Sequence, residues 1–147
     1  MKKNRIVSER FPSLLAVLAT VAACFVAPSI RGQTSPRVIE ILADHDSRFK
    51  IHGQEHPQIT VKPGERLTLR ITAIKAKNQN RDGSIHGFTL LRASNRMPVD
   101  GWDFLLKPGT QEFTVTSPNE PGEYVVICTV ICSMNHEGMT MRFIVKP

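Results

Sequence analysis

The sequence predicts an antiparallel β-sandwich preceded by a hydrophobic N-terminal segment. Three observations lead there. Apolar and polar residues alternate with a period of two in several short runs, turn signals rich in Pro and Gly separate those runs, and nothing after Arg37 sustains a helical period. At 147 residues the chain has room for one domain with a real core. The expected layout is a targeting segment over residues 1–32 and a single folded domain over residues 37–147.

Taken in order, the chain begins with Lys2, Lys3, Arg5 and Arg10, followed by an uncharged run over residues 11–30 rich in Leu, Ala and Val. A basic start before an apolar stretch is the pattern of an export signal, or of an anchor about 20 residues long that crosses a bilayer. Three readings compete: a cleaved signal, an uncleaved single anchor, and a lipoprotein in which Val21-Ala22-Ala23-Cys24 acts as a lipobox. All three leave the basic end in the cytoplasm and everything after Arg31 outside. The expected location is therefore the periplasm or the outer face of the cytoplasmic membrane, with membrane attachment through this segment in the anchor and lipoprotein readings. Residues 32–36 read as a short polar linker.

Strands are expected next. Leu67, Leu69 and Ile71 alternate with Thr68, Arg70 and Thr72, and Phe113 and Val115 alternate with Thr114 and Thr116, so each run has an apolar face and a wet one. Further strands are expected over residues 38–42, 58–61, 87–91, 124–128 and 141–145. Turns are marked by Lys62-Pro63-Gly64-Glu65, Asp82-Gly83-Ser84, Lys107-Pro108-Gly109-Thr110 and Glu120-Pro121-Gly122. There is no internal repeat and no low-complexity tract.

Composition excludes one large class of function. Apolar and charged fractions of 41% and 22% are ordinary for a soluble fold. The net charge of +6 is concentrated at the start, where Lys2, Lys3, Arg5, Arg10 and Arg31 face only Glu9, and about +2 remains for the rest. That is no nucleic-acid footprint. Arg66, Arg70, Lys75, Lys77 and Arg81 form a locally basic stretch, read as a solvated strand face and loop, with a docking patch for an anionic partner as the alternative.

Chemistry is concentrated near the end of the chain. Cys24 belongs to the targeting segment, which leaves Cys128 and Cys132 as the thiols of the folded part. Outside the cytoplasm such a pair is either oxidised or occupied by metal. Within twelve residues stand Cys128, Cys132, His136 and Met139. Thiolate and thioether are soft ligands that favour copper(I), and imidazole suits both copper oxidation states, so the set can serve a redox couple. His86, at the head of an expected strand, is placed to supply a further ligand. Two simpler readings use fewer of these residues. A disulfide between Cys128 and Cys132 leaves His136 and Met139 unexplained, and a zinc site made from Cys128, Cys132, His136 and His86 leaves Met139 idle.

The spacing Cys-x3-Cys-x3-His-x2-Met, preceded by Pro121-Gly122-Glu123-Tyr124 and by Ile85-His86-Gly87-Phe88 further upstream, resembles the dinuclear copper (CuA) domain of cytochrome c oxidase subunit II. The CuA domain of nitrous oxide reductase is similar in its local wording. The resemblance spans roughly residues 37–146 and includes the Ile59-Thr-Val-Lys-Pro-Gly-Glu65 strand and turn. It implies a cupredoxin-like Greek-key sandwich that is all-β and binds two copper ions. By this resemblance Cys128 and Cys132 are the bridging thiolates, His86 and Met139 complete one copper, and His136 with the backbone carbonyl of Val130 completes the other. Bridging thiolates hold two metals close enough to share one electron, so the ligand cage moves little when the electron arrives. The resemblance further implies an electron donor such as a c-type cytochrome, and oxidase subunit I as a partner. The chain departs from the oxidase pattern at Val130, where an acidic residue is usual, and in carrying one hydrophobic segment where many such subunits have two.

No nucleophile with its base and no acid/base pair is visible, so no catalytic centre is expected in this chain alone. The second functional reading is copper capture or delivery. Trp102 is read as an amphipathic strand residue, with an aromatic electron port near the copper as the alternative. His45, His52 and His56, in a polar stretch with Asp44, Asp46 and Glu55, are read as surface loop residues, with auxiliary copper capture as the alternative. Met134 and Met141 are read as packing residues.

Overall fold

The computed structural model describes residues 35–147. The export or anchor segment and Cys24 lie outside the described residues. Nine strands follow: β1 (Arg37–Ala43), β2 (Phe49–Lys50), β3 (Gln58–Val61), β4 (Arg66–Ala73), β5 (His86–Arg92), β6 (Pro98–Leu106), β7 (Gly109–Thr116), β8 (Gly122–Ile127) and β9 (Thr140–Val145). A single 3-10 turn, His136–Gly138, sits between β8 and β9. One sheet has the order β2-β1-β4-β7 and the other β3-β9-β8-β5-β6.

Alternation explains which faces meet. Leu67, Leu69, Ile71 and Ala73 on β4, Tyr124 and Val126 on β8, and Met141, Phe143 and Val145 on β9 are all buried, while the residues between them reach toward solvent. Period-two burial of this kind places the core between two sheets. Aromatic rings fill it edge to face, with Trp102 against Phe143 at 5.1 Å and Phe49 against Phe88 at 5.4 Å. The predicted sandwich is therefore the observed one.

Two features differ from the expectation. The pairings β1–β4 and β3–β9 are parallel, within sheets that are otherwise antiparallel. Parallel neighbours need a long crossover connection, and no local pattern announces one. Strands β2 and β6 also carry no clean alternation. β2 is two residues long, and β6 is an edge strand interrupted by Gly101 at φ +75°.

Strand β5 is buried along nearly its whole length. His86, Phe88 and Leu90 share the face toward the core. The opposite face, at Gly87 and Thr89, is covered by the chain just beyond β8, where Thr129 Oγ1 lies 3.2 Å from Thr89 Oγ1. That overlap puts the head of β5 and the end of β8 in direct contact.

Candidate metal centre

The loop between β8 and β9 is held as a closed unit. The antiparallel ladder between the strands ends at the pair Ile127 and Thr140, and one further bond, from the Cys128 amide to the Met139 carbonyl at 3.2 Å, closes the loop base. Inside it the Cys132 amide donates to Val130 O at 2.7 Å, and the Met139 amide donates to His136 O at 3.0 Å. The segment after β4 clasps the loop from outside. Asn78 donates its backbone amide to Cys132 O at 2.9 Å and its side-chain amide to Ile131 O at 3.2 Å.

Alternation on β8 carries past its last residue, so Cys128 points inward like Tyr124 and Val126. Its sulfur accepts the Gly87 amide at 3.3 Å and lies 3.2 Å from Val130 O. Cys128 and Cys132 are free thiols with sulfurs 3.8 Å apart, a spacing that rules out the disulfide reading for this arrangement. His86 reaches them from β5: one of its ring nitrogens and the two sulfurs all lie within 4.8 Å of one another, and all three residues are buried.

The imidazole of His86 is oriented by the backbone. Its Nε2 lies 2.9 Å from Ile74 O, to which it donates, while its buried Nδ1 has no hydrogen-bond partner. A buried polar nitrogen left unpartnered is destabilising by about 1–3 kcal/mol. The same tautomer, with one nitrogen donating to a carbonyl and the other presenting a lone pair, is the one that metal-ligating histidines adopt. Burial pushes the Cys128 thiol up to about 11, partly offset by backbone hydrogen bonds, that from Gly87 first, while the Cys132 thiol beside it adds to the rise. At neutral pH the thiol therefore gives up its proton only to a cation that binds sulfur.

The remaining predicted residues divide. Met139 is fully buried in the same cluster as Cys128, Val130 and Cys132. His136 stands apart from the group of three: it is half-buried in the 3-10 turn, with Nδ1 3.0 Å from Ser133 O. Its Nδ1–H donates to that carbonyl, which leaves Nε2 with the lone pair. Trp102 is 2% exposed and donates from Nε1 to Thr116 O at 2.9 Å. It is the inward-facing residue of a strand whose neighbours Gly101 and Asp103 are exposed, which agrees with its reading as an amphipathic strand residue, and it ties β6 to β7. Met141 is buried as expected, whereas Met134 is 92% exposed and packs nothing.

His45, His52 and His56 are exposed. Their neighbour Asp44 is not a surface residue: it is 2% exposed and organises the turn between β1 and β2. In the basic stretch, Arg70 is held by Glu112 at 2.6 Å and Glu40 at 2.9 Å, while Lys75, Lys77 and Arg81 are exposed. One residue at the centre gave no sequence signal. Ser47, buried in the β1–β2 turn, places its Oγ 3.5 Å from Cys132 Sγ.

The donor set fits copper. It offers two thiols, an imidazole nitrogen with a free lone pair, a backbone carbonyl beside one sulfur, and a buried thioether close by in sequence. A metal–thiolate bond of about 2.3 Å allows one ion to touch both sulfurs at their 3.8 Å spacing. Two clefts lie elsewhere: one of about 740 Å3 along β1, β2 and residues 51–57, and one of about 620 Å3, neither lined by His86, Cys128 or Cys132.

Two facing sheets in this strand order, with the donor loop joining β8 to β9, define a cupredoxin-like sandwich. Solved structures bear this out. Auracyanin A from Chloroflexus aurantiacus, a "blue" copper protein, superposes with a TM-score of 0.52 at 24% identity, over 76% of this chain and 100% of that one. Rusticyanin from Thiobacillus ferrooxidans gives 0.50 at 21%, over 76% and 79%. A chain of a heme-copper terminal oxidase dimer gives 0.50 at 18%, over 75% of this chain and 65% of that one. At these identities the likeness is one of fold. No protein-family model and no curated protein sequence matches the chain.

Proposed function

We propose that this chain is an exported copper protein that passes single electrons through a dinuclear CuA-type centre. The observation that carries the proposal is the enclosed group of two thiols 3.8 Å apart and an imidazole whose buried Nδ1 lacks a partner. Cys128 and Cys132 would bridge, His86 and Met139 would serve one ion, and His136 with Val130 O the other. When bound, copper supplies a one-electron couple. The chain holds the donors still. Ile74 O fixes the His86 ring, the Gly87 amide supports the Cys128 sulfur, and burial of both cysteines and Met139 excludes water. A cage fixed on two strands and a closed loop changes little between oxidation states, which favours fast exchange. The electron donor would be a c-type cytochrome at the outer face of the cytoplasmic membrane, and oxidase subunit I is the natural acceptor in this reading.

A one-copper centre is the second reading. It is favoured by the position of His136 outside the group of three.

Copper loading decides between them. The domain is expected to take up two coppers per chain and to give a mixed-valence spectrum coupled to both nuclei. One copper with a mononuclear blue signature overturns the dinuclear assignment. Cys128→Ser or Cys132→Ser should abolish electron sharing, while Met139→Leu should move the potential more than the occupancy, because a thioether is a weak neutral ligand. A copper-delivery role requires the opposite kinetics. Rapid copper loss to an apo-acceptor with slow electron exchange, or dependence on the exposed His45, His52 and His56, would establish delivery instead.

A further inference from the structure

Ser47 occupies a conformation that serine disfavours. Its φ is +60°, in the left-handed region that Gly, Asn and Asp visit more readily than other residues. The turn that holds it there is heavily determined. Asp44 Oδ1 accepts the amides of Asp46 at 3.0 Å and Arg48 at 2.9 Å, and the Ser47 amide donates to Asp44 O at 3.2 Å. Backbone strain retained in this way motivates a search for what the side chain does.

The hydroxyl is buried and has two neighbours, Ser133 Oγ at 2.7 Å and Cys132 Sγ at 3.5 Å. Ser133 Oγ accepts the Asn135 amide at 3.1 Å, and in one of the two directions open to the Ser133–Ser47 bond it gives its own proton to Ser47 Oγ. The Ser47 proton is then free for Cys132. When Cys132 is deprotonated as a metal ligand, a continuous series of donors runs from the Asn135 amide through Ser133 and Ser47 to the sulfur. Cys128 receives its support from a backbone amide that every sequence would supply. Cys132 receives its support from a side chain.

We infer that Ser47 sets the reduction potential of the metal centre by donating a hydrogen bond to the Cys132 thiolate. The inference rests on the copper reading above. Hydrogen bonding around a cysteine sulfur tunes the potential of copper–thiolate sites. The bond strengthens as negative charge collects on sulfur, which it does more in the reduced centre, so the donor favours the reduced form and raises the potential. Partners of this kind, when removed, lower metal affinity or activity by about 10- to 100-fold.

Two variants separate this role from a structural one. Ser47→Ala removes the hydroxyl and keeps the unfavourable backbone, whereas Ser47→Gly removes the hydroxyl and relieves the backbone. Both should shift the oxidised-to-reduced ratio against a fixed reference couple about tenfold toward the oxidised form, which is about 59 mV for one electron. Their thermal stabilities should move apart, with the Gly variant above the Ala variant. In the metal-free protein, where Cys132 Sγ–H points to Ser47 Oγ, the S–H infrared band should shift to higher frequency in both variants. Potentials that follow stability, or that stay unchanged in copper-loaded variants, overturn the role of Ser47 alone, as does an unmoved S–H band. Wild-type protein that takes up no copper overturns the functional reading and this inference together.

Discussion

A methyl group added to Gly87 would stand 2.2 Å from Thr129 Oγ1 and 2.7 Å from the Thr129 amide nitrogen, and the second of these atoms is backbone that no rotamer change can move. The crowding lies where His86 and Cys128 are brought together, so relief must come from parting β5 and the start of the donor loop. Gly87→Ala is expected to lower stability by about 1–3 kcal/mol, the usual range for overpacking, and to weaken copper retention. Gly138, in the same loop, has nothing within 4 Å of its would-be Cβ. Gly138→Ala should stay within about 0.5 kcal/mol of wild type, and urea melts of the two variants check the contrast. The thiols stood out in the sequence because soft donors at close spacing have few other uses, and His86 because it heads an expected strand. Ser47 did not. A serine in a polar turn looks like every other turn serine, and its contact with Cys132 spans 85 positions of sequence.

At the scale of elements, the β1–β2 connection depends on Asp44. Burial by itself would raise the Asp44 carboxyl, but the Lys50 ammonium and the Arg48 amide outweigh it and hold the group below its ordinary value. A carboxylate depressed in the folded state stabilises the protein above the unfolded pKa of about 4, and the contribution disappears as pH falls through the folded value. Asp44→Asn should therefore cost about 1–3 kcal/mol at neutral pH. The gap to wild type should close as pH drops below about 4, as followed by denaturant unfolding across that range. A gap that widens in acid would contradict the assignment. Strands β4 and β7 could be read from their alternation, because each turns one face to the core and one to solvent. Strand β5 was legible through its apolar run, although its second cover, Thr129, comes from 40 residues away. The short β2 and the Gly101-interrupted β6 lacked the repeats that make a period visible.

For the molecule as a whole, Trp102 joins the two sheets, with its ring against Phe143 on one side and its Nε1–H on Thr116 O of the other. Trp102→Phe keeps the ring contact and deletes the hydrogen bond, so it should lower stability by about 1–2 kcal/mol. Electron exchange with a small cytochrome should be unaffected, since the indole is buried; a large fall in that rate would restore the electron-port reading. The sandwich itself was legible from alternation and turn chemistry, but the parallel pairings were not. Gln58 meets Arg142, and Arg37 meets Leu67, and such partners are chosen by the assembled core rather than by either segment.

Those distant pairings also fix an order of events. Among the described residues β3 pairs only with β9, and β9 is the strand that closes the donor loop, so the second sheet is incomplete until β9 has arrived. Folds dominated by such long-range contacts assemble slowly. The loop that carries the two thiols is therefore closed late in folding rather than early. Until β9 docks, Cys128 and Cys132 stand in an open loop and are most exposed to oxidation.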